Sequence, residues 1–183
     1  MESRAFSPTS TTAPPSVAEL RTLYDEMAQP LRRALSRLTW RGCDVDDLLQ
    51  ETFVVALKRP DQLLTAHSPK AWLYGVAVRV ASAARTRHRL KSFLGLENAG
   101  DVATDDDASP FASVTRREAK AKVHRALDGL SGKRRDALVL FELEGLSGPE
   151  ISEALGIPLK TVWTRLHHAR KDFEQRLHQE GRE

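Results

Sequence analysis

Residues 147–170 read Ser-Gly-Pro-Glu-Ile-Ser-Glu-Ala-Leu-Gly-Ile-Pro-Leu-Lys-Thr-Val-Trp-Thr-Arg-Leu-His-His-Ala-Arg, and this stretch decides the fold. Ser147 and Glu150 have the spacing of a capping box, which predicts the start of a helix. Gly156 predicts its end, because glycine adopts the left-handed conformation there without steric cost. The next helix has an apolar stripe of Val162, Leu166, Ala169 and Phe173. This pattern is typical of a helix-turn-helix, which places its second helix in a DNA major groove. A helical hairpin buried in a core would not need the basic, threonine-containing face that the second helix leaves outside.

The charge of the 183-residue chain is unevenly distributed, although its sum is only +3. Residues 17–91 carry 13 Lys and Arg against 8 Asp and Glu, residues 92–113 carry none against 5, and residues 114–183 carry 14 against 11. Two basic segments around an acidic spacer indicate two modules that act on one polyanion. Ordinary solvated surface would give similar numbers, so charge alone does not decide the function.

Helical periodicity extends through most of the remaining sequence, without sustained strand alternation. We therefore predict an all-α fold of two small helical domains, at residues 17–91 and 114–178, joined by a flexible acidic linker at residues 92–113. Residues 1–16 are expected to form a disordered tail. In the first domain we expect a helix broken or kinked at Pro30 and ended by Gly42, one from Asp44 to about Lys58, and one from about Pro69 to Leu90.

Several protein classes are disfavoured by what the sequence lacks. Cys43 is the only cysteine, which excludes an intrachain disulfide and a cysteine-rich zinc site and fits a reducing cytoplasm. No apolar run approaches the ~20 residues of a membrane span, and no signal peptide is recognisable. The six histidines form no HExxH-type arrangement, and there is no glycine-rich phosphate loop. We therefore expect no enzymatic activity, no metal and no cofactor.

The helix from Asp44 to Leu57 is acidic at its start and has an outer patch of Asp47, Gln50, Glu51 and Val54. Favourable interaction with the helix dipole explains the first acidic residues but not the patch. A polar, acidic face with one apolar residue fits a docking surface for a basic helical partner.

The next helix ends in the basic run Arg85-Thr-Arg-His-Arg-Leu-Lys91 and has Trp72 and Tyr74 near its start. Basic side chains bind phosphate, and aromatic rings stack on unpaired bases. The alternative is that Trp72 belongs to the core and that the basic end only complements the helix dipole. We favour nucleic-acid binding for the basic cluster, because a second DNA-binding motif lies downstream, and leave Trp72 open.

Three motifs, in this order, resemble the extracytoplasmic-function sigma factors, the smallest sigma-70-type initiation subunits of bacterial RNA polymerase. The first is Asp-x-x-Asp-Leu-x-Gln-Glu-x-Phe at residues 44–53, and the second is Trp-Leu-Tyr-Gly-Val-Ala at residues 72–77. The third, residues 161–170, is similar to the family pattern Thr-Val-x-Ser-Arg-Leu-x-Arg-Ala-Arg. The resemblance covers roughly residues 19–173 apart from the spacer.

The resemblance implies two binding surfaces in the first domain, which corresponds to sigma region 2. One binds core RNA polymerase, and Gln50 and Glu51 make its polar contacts. Leu48 and Phe53 match the same motif, but they could instead pack in the core of the domain. The matched core-binding residues are Asp47, Leu48, Gln50, Glu51 and Phe53. The other captures the −10 promoter element through Lys70, Trp72, Tyr74, Arg79, Arg85, Arg87 and Arg89.

The second domain corresponds to sigma region 4, which binds the −35 promoter element. Groove geometry predicts base-edge contacts for Trp163, Thr164, His167 and His168. Phosphate contacts are predicted for Lys160, Thr161, Arg165 and Arg170. The resemblance also implies a partner anti-sigma factor that wedges between the domains.

The chain departs from the family pattern at several positions. Val78 and Arg79 stand where Arg-Asn is usual, Ala83 replaces an Asp, and Trp163 and His168 replace basic residues. We therefore expect unusual −10 and −35 preferences. The alternative function is a stand-alone helix-turn-helix transcriptional regulator, which would have no use for the motif at residues 44–53.

Overall fold

The computed structural model describes residues 17–96 and 114–180, and within these ranges the chain forms eight α-helices, one π-helical segment and no β-strand. The predicted tail and most of the predicted linker lie outside the described residues. The elements are α1 (Val17–Leu38), α2 (Val45–Lys58), α3 (Pro60–Thr65), α4 (Pro69–Phe93), α5 (Val114–Asp128), α6 (Gly132–Leu138), the π segment (Val139–Leu143), α7 (Gly148–Leu155) and α8 (Leu159–Glu180). The all-α prediction is confirmed. None of the described helices is long and apolar enough to cross a membrane.

The first domain consists of α1–α4, with α1 and α2 packed against α4. Asp44 caps α2 by accepting a hydrogen bond from the backbone N–H of Asp47 at 3.0 Å, and Ser68 caps α4 through the N–H of Ala71 at 3.2 Å. Leu31, Leu35 and Leu73 are completely buried between these helices. The predicted starts of α2 and α4 are therefore confirmed.

Two local features of the first domain differ from the expectation drawn from the sequence. Pro30 does not break the first helix, because α1 continues through it to Leu38; the alternative, a kink at Pro30, stays a prediction. An internal proline costs about 3 kcal/mol, but the buried stripe of Met27, Leu31 and Leu35 continues on both sides, and packing outweighs the loss. The short helix α3 was not predicted; Pro60 occupies its first turn, where the missing N–H costs nothing.

The second domain consists of α5–α8 and contains the predicted helix-turn-helix. The Ser147 backbone N–H donates to Glu150 Oε2 at 2.9 Å, and the Glu150 N–H donates to Ser147 Oγ at 3.4 Å, which completes the capping box. Gly156 ends α7 with φ of 62°. Val162, Leu166 and Ala169 are buried along α8, with Phe173 partly buried beside them.

The two domains pack against each other and share one buried cluster. Helix α4 packs against α7, while α1 contacts α6 and the π segment. At Gly75 the backbones come so close that an added Cβ would lie 3.0 Å from the carbonyl carbon of Ala154 and closer still to its oxygen. Helix α4 also extends to Phe93, two residues into the segment predicted as linker.

Candidate nucleic-acid interface

The outer face of α8 carries the side chains predicted to contact the −35 element. Thr161 and Arg165 are half-buried at its edges, and the other six are exposed: Lys160, Trp163, Thr164, His167, His168 and Arg170. The buried stripe of α8 holds this face outward. The arrangement presents a continuous polar surface of the kind that enters a major groove.

Two of these side chains also have partners inside the second domain. The Trp163 ring meets Phe141 edge-on, with the ring centroids 5.6 Å apart, and a Cβ at Gly148 would lie 2.9 Å from its Cη2 atom. Arg170 Nε donates to Glu142 Oε1 at 2.7 Å, and its guanidinium lies 5.3 Å from the Phe141 ring centroid. The π segment therefore contacts this face at two places, through Phe141 at Trp163 and through Phe141 and Glu142 at Arg170.

The predicted docking patch lies on α2. Asp47, Gln50, Glu51 and Val54 are exposed, so the structure brings the patch together as the sequence predicts. Leu48 is only 5% exposed and belongs to the core. Phe53 is half-buried, with its ring 4.6 Å from that of Tyr24. Packing therefore accounts for Leu48 and much of Phe53.

The side chains predicted to contact the −10 element separate into two groups, one accessible and one in contact with the second domain. Lys70, Arg87 and Arg89 are exposed, and Trp72 is half-buried. Arg87 lies 3.7 Å from Glu51, but both side chains are about half exposed, so this pair is worth little. These four residues leave an accessible, basic surface along α4.

The other three predicted −10 contacts make hydrogen bonds to the second domain, although Arg79 stays exposed. Tyr74 Oη donates to Glu144 Oε2 at 2.8 Å, and Arg79 Nη1 donates to Ala154 O at 3.3 Å. Arg85 Nη2 donates to Asp136 Oδ2 at 3.1 Å, while its Nη1 donates to Leu38 O. Tyr74 and Arg85 are 1% and 8% exposed. In this arrangement, contrary to the sequence-based expectation, neither side chain is accessible to DNA, because the second domain covers it.

Burial shapes the protonation of these interdomain groups. Burial raises the pKa of Asp136 to about 6, and the charges of Arg85, Arg135 and Arg165 only partly offset that effect. Burial and the hydrogen bond to Glu144 both raise the pKa of Tyr74. Burial, with repulsion from Arg59, lowers the pKa of Arg79.

The residues of the second domain that contact the first domain were not predicted from the sequence. Glu144 accepts from Arg37 Nη1 at 2.8 Å as well as from Tyr74. Arg135 Nη1 donates to the backbone oxygen of Thr39 at 2.9 Å. The available signal was Asp136, a charged residue directly before the apolar run 137–141, where a buried charge requires a partner.

Two parts of the chain match known family descriptions. Residues 23–90 match the family described as Sigma-70 region 2, and residues 120–173 match Sigma-70, region 4. The ECF RNA polymerase sigma factor SigL of Mycobacterium tuberculosis is 32% identical over 170 residues, which cover 90% of this chain and 92% of SigL. The RNA polymerase sigma factor CnrH of Cupriavidus metallidurans is 32% identical over 133 residues, 69% of this chain and 70% of CnrH.

Two solved structures have a similar fold. The sigma factor RpoE, in complex with the anti-sigma factor NepR from Bartonella quintana, superposes with a TM-score of 0.70 at 22% identity, over 88% of this chain and 98% of that chain. CnrH, in complex with the cytosolic domain of CnrY, gives a TM-score of 0.60 at 24% identity, over 87% and 88%. With both sigma regions present in order, the chain belongs to the sigma-70 family, as an ECF RNA polymerase sigma factor that directs promoter-specific transcription initiation.

Proposed function

We propose that the protein uses three separate surfaces on its two domains to bind RNA polymerase and the two promoter elements. The patch of Asp47, Gln50, Glu51 and Val54 on α2 binds core RNA polymerase. The basic face of α4 captures the −10 element as its strands separate. The outer face of α8 contacts the −35 element as duplex DNA.

The observation that carries this assignment is the exposed patch on α2. A stand-alone helix-turn-helix regulator would share α7 and α8 but would have no use for an acidic, partly apolar surface on a separate domain. Asp47, Gln50 and Glu51 are all exposed, and the Glu51 pair with Arg87 is weak enough to give way to a basic helical partner. Region 2 and region 4 in one chain favour the same assignment.

The division of labour on α8 follows from side-chain chemistry. Thr164, His167 and His168 are exposed and have groups that hydrogen-bond base edges, and a good bidentate contact discriminates by about 1–3 kcal/mol. Lys160 and Arg165 supply phosphate contacts, which position the helix without sequence preference. The ring of Trp163 is 45% exposed, so part of it remains available to a base.

Strand opening at the −10 element costs free energy, which contacts with the protein must offset. Extruding a base costs a few kcal/mol, and stacking on aromatic side chains returns about 1–3 kcal/mol per base. Trp72 is half-buried and supplies a partly accessible ring on α4, while Lys70, Arg87 and Arg89 bind the phosphates. Contacts with the polymerase supply the rest of the free energy needed to open the strands.

The test adds purified protein to bacterial core RNA polymerase and genomic DNA and sequences the transcript starts against a core-only control. We expect new starts that share one spaced, two-part upstream motif. Gln50→Lys/Glu51→Lys should abolish binding to core, since it reverses the charge of the patch. The variant Glu174→Lys/Gln175→Lys makes the same charge change on the exposed end of α8 and should bind core normally. Normal core binding by the α2 variant would refute the docking assignment.

Three further properties belong to this proposal. The structural neighbours were solved with the anti-sigma factor NepR and with CnrY, and we propose that an anti-sigma factor likewise binds this chain between its domains. Action on RNA polymerase and promoter DNA places the protein in the cytoplasm. It acts by binding and has no catalytic activity of its own.

A further inference from the structure

Two large apolar side chains lie along one edge of the α8 face that is assigned to the −35 element. Trp163 is 45% exposed, and Leu159, one helical turn before it, is 40% exposed. Residues four positions apart lie on the same side of a helix, so the two side chains form one apolar flank beside the polar residues Lys160 and Thr164. The flank belongs to the first half of α8, the part of a recognition helix that contacts base edges.

The Trp163 ring is held in place by other parts of the second domain. A Cβ built on Gly148 would lie 2.5 Å from Trp163 Cζ2 and 3.1 Å from Leu159 Cδ1, so the missing side chain at Gly148 makes room for both. The ring also meets Phe141 edge-on, with 5.6 Å between the centroids. A side chain that is already fixed loses little conformational entropy on binding, which suits it to the recognition of one small group.

The charges next to the ring disfavour a phosphate as its partner. The Phe141 ring contacts Arg170 as well as Trp163. Arg170 donates from Nε and Nη2 to Glu142 Oε1, at 2.7 and 2.6 Å. The Glu142 carboxylate offsets the charge of the guanidinium and would itself repel a DNA phosphate. A base edge is therefore the more favourable partner for this flank.

The major groove offers only one apolar group to such a flank. Guanine and adenine present N7 together with O6 or N6, cytosine presents N4, and thymine presents O4 and the C5-methyl group. A nitrogen or oxygen atom pressed against hydrocarbon loses its water without gaining a partner, whereas a methyl group gains free energy from burial.

We infer that Trp163, together with Leu159, recognises the C5-methyl group of a thymine in the −35 element and is a specificity-determining residue of this protein. The inference rests on the proposed assignment of the α8 face to the −35 element. It names the group that the face selects, and it requires an A·T pair at that position of the promoter.

The test uses the full chain, assembled with core RNA polymerase, on a promoter found by transcript-start mapping. Each thymine of the −35 element, on either strand, is replaced in turn by deoxyuridine, which lacks only the methyl group and keeps every hydrogen-bonding group. Competition binding measures the affinity of the holoenzyme for each DNA. The matched control places deoxyuridine in the spacer between the two promoter elements.

We expect one deoxyuridine in the −35 element to weaken binding about fourfold, the effect of one buried methylene-sized group, and the spacer controls to leave binding unchanged. Trp163→Gln should bind the unmodified promoter more weakly and should lose the fourfold difference, because glutamine offers little apolar surface. Thr164→Ser removes the methyl group of a neighbouring threonine, which could also contact thymine, and should keep the difference.

A −35 element without an A·T pair, or one in which every deoxyuridine binds as well as thymine, would overturn the inference. The second result would also be expected if the indole N–H donated to guanine instead. A difference that Thr164→Ser loses and Trp163→Gln keeps would assign the methyl group to Thr164 and overturn it as well. If Trp163→Gln loses helical circular dichroism, Leu159→Ala takes its place and should reduce the difference, whereas full retention would count against the inference.

Replacing the whole −35 element separates this inference from the proposed function. If that replacement weakens binding but no deoxyuridine does, only the methyl contact is wrong. If it leaves binding of the holoenzyme unchanged, the assignment of the α8 face is wrong and the inference falls with it.

Discussion

Replacing Asp136 by Asn should change how the stability of the protein depends on pH. Burial raises the pKa of Asp136 from 3.8 to about 6. Because a buried carboxyl group with a raised pKa holds its proton more tightly in the folded state, folding is favoured at low pH. That stabilisation is complete below about pH 4 and is lost as the pH rises through about 6. The difference between these two pKa values corresponds to about 3 kcal/mol of stability.

Two effects oppose each other at this carboxylate, and the geometry decides between them. A single nitrogen of Arg85, Nη2, serves both oxygens, 2.9 Å from Oδ1 and 3.1 Å from Oδ2. Oδ1 accepts no hydrogen bond from the residues that the structure describes. Because Arg85 does not form a two-nitrogen fork, the ion pair is too weak to offset the loss of hydration.

The assay is urea unfolding of the unmodified protein and of Asp136→Asn between pH 4.5 and 7.5, followed by circular dichroism and by tryptophan fluorescence. His124 and Asp128 also have shifted pKa values, but their contributions cancel in the difference between the two proteins. The stability of the unmodified protein relative to Asp136→Asn should fall by about 2 kcal/mol across this pH range, since part of the effect is already lost at pH 4.5. A difference that stays flat or rises with pH would refute the reasoning, since the Arg85 ion pair would then outweigh burial.

Three further substitutions test the second domain. Ser147→Ala removes both hydrogen bonds of the Ser147 hydroxyl and should lower the free energy of unfolding by about 1 kcal/mol in urea titrations; an unchanged value would mean that water replaces the cap. Trp163→Ala should cost about 2 kcal/mol by the same measurement, less than for a fully buried ring, because the ring is 45% exposed. A stability change below about 0.5 kcal/mol would show that the contact with Phe141 is not a structural one. Thr164→Ala/His168→Ala should relax the −35 preference in transcript-start mapping without changing core binding, and an unaltered promoter profile would contradict the base-contact assignment.

The helix-turn-helix could be predicted from the sequence because its signals are local. A capping box joins Ser147 to a residue three positions away, and Gly156 acts through its own backbone angle. The same holds for Asp44 at the start of α2. The outer patch on α2 also follows from helical spacing alone, since neighbours on a helix face recur every three or four residues.

The interdomain contact could not be predicted in the same way. Tyr74 and Glu144 are 70 positions apart in the sequence, and Arg85 and Asp136 are 51 apart. The basic and aromatic composition of α4 fits nucleic acid and buried carboxylates equally well, so composition does not distinguish the two partners. A break at Pro30 was wrongly expected for a related reason, because the tertiary packing of α1 outweighs a local preference.

The close approach at Gly75 has a consequence for any external ligand of α4. Segments of a single chain meet at effective concentrations of up to about 1 mM, and dilution does not lower that value. A competitor present at about 1 µM must therefore bind the same face about a thousandfold more tightly than the second domain does. Otherwise it must gain the missing affinity by binding another surface of the protein at the same time. Under the proposed assignment core polymerase binds through the separate patch on α2 and would act in this bivalent way, whereas a short DNA strand alone would not.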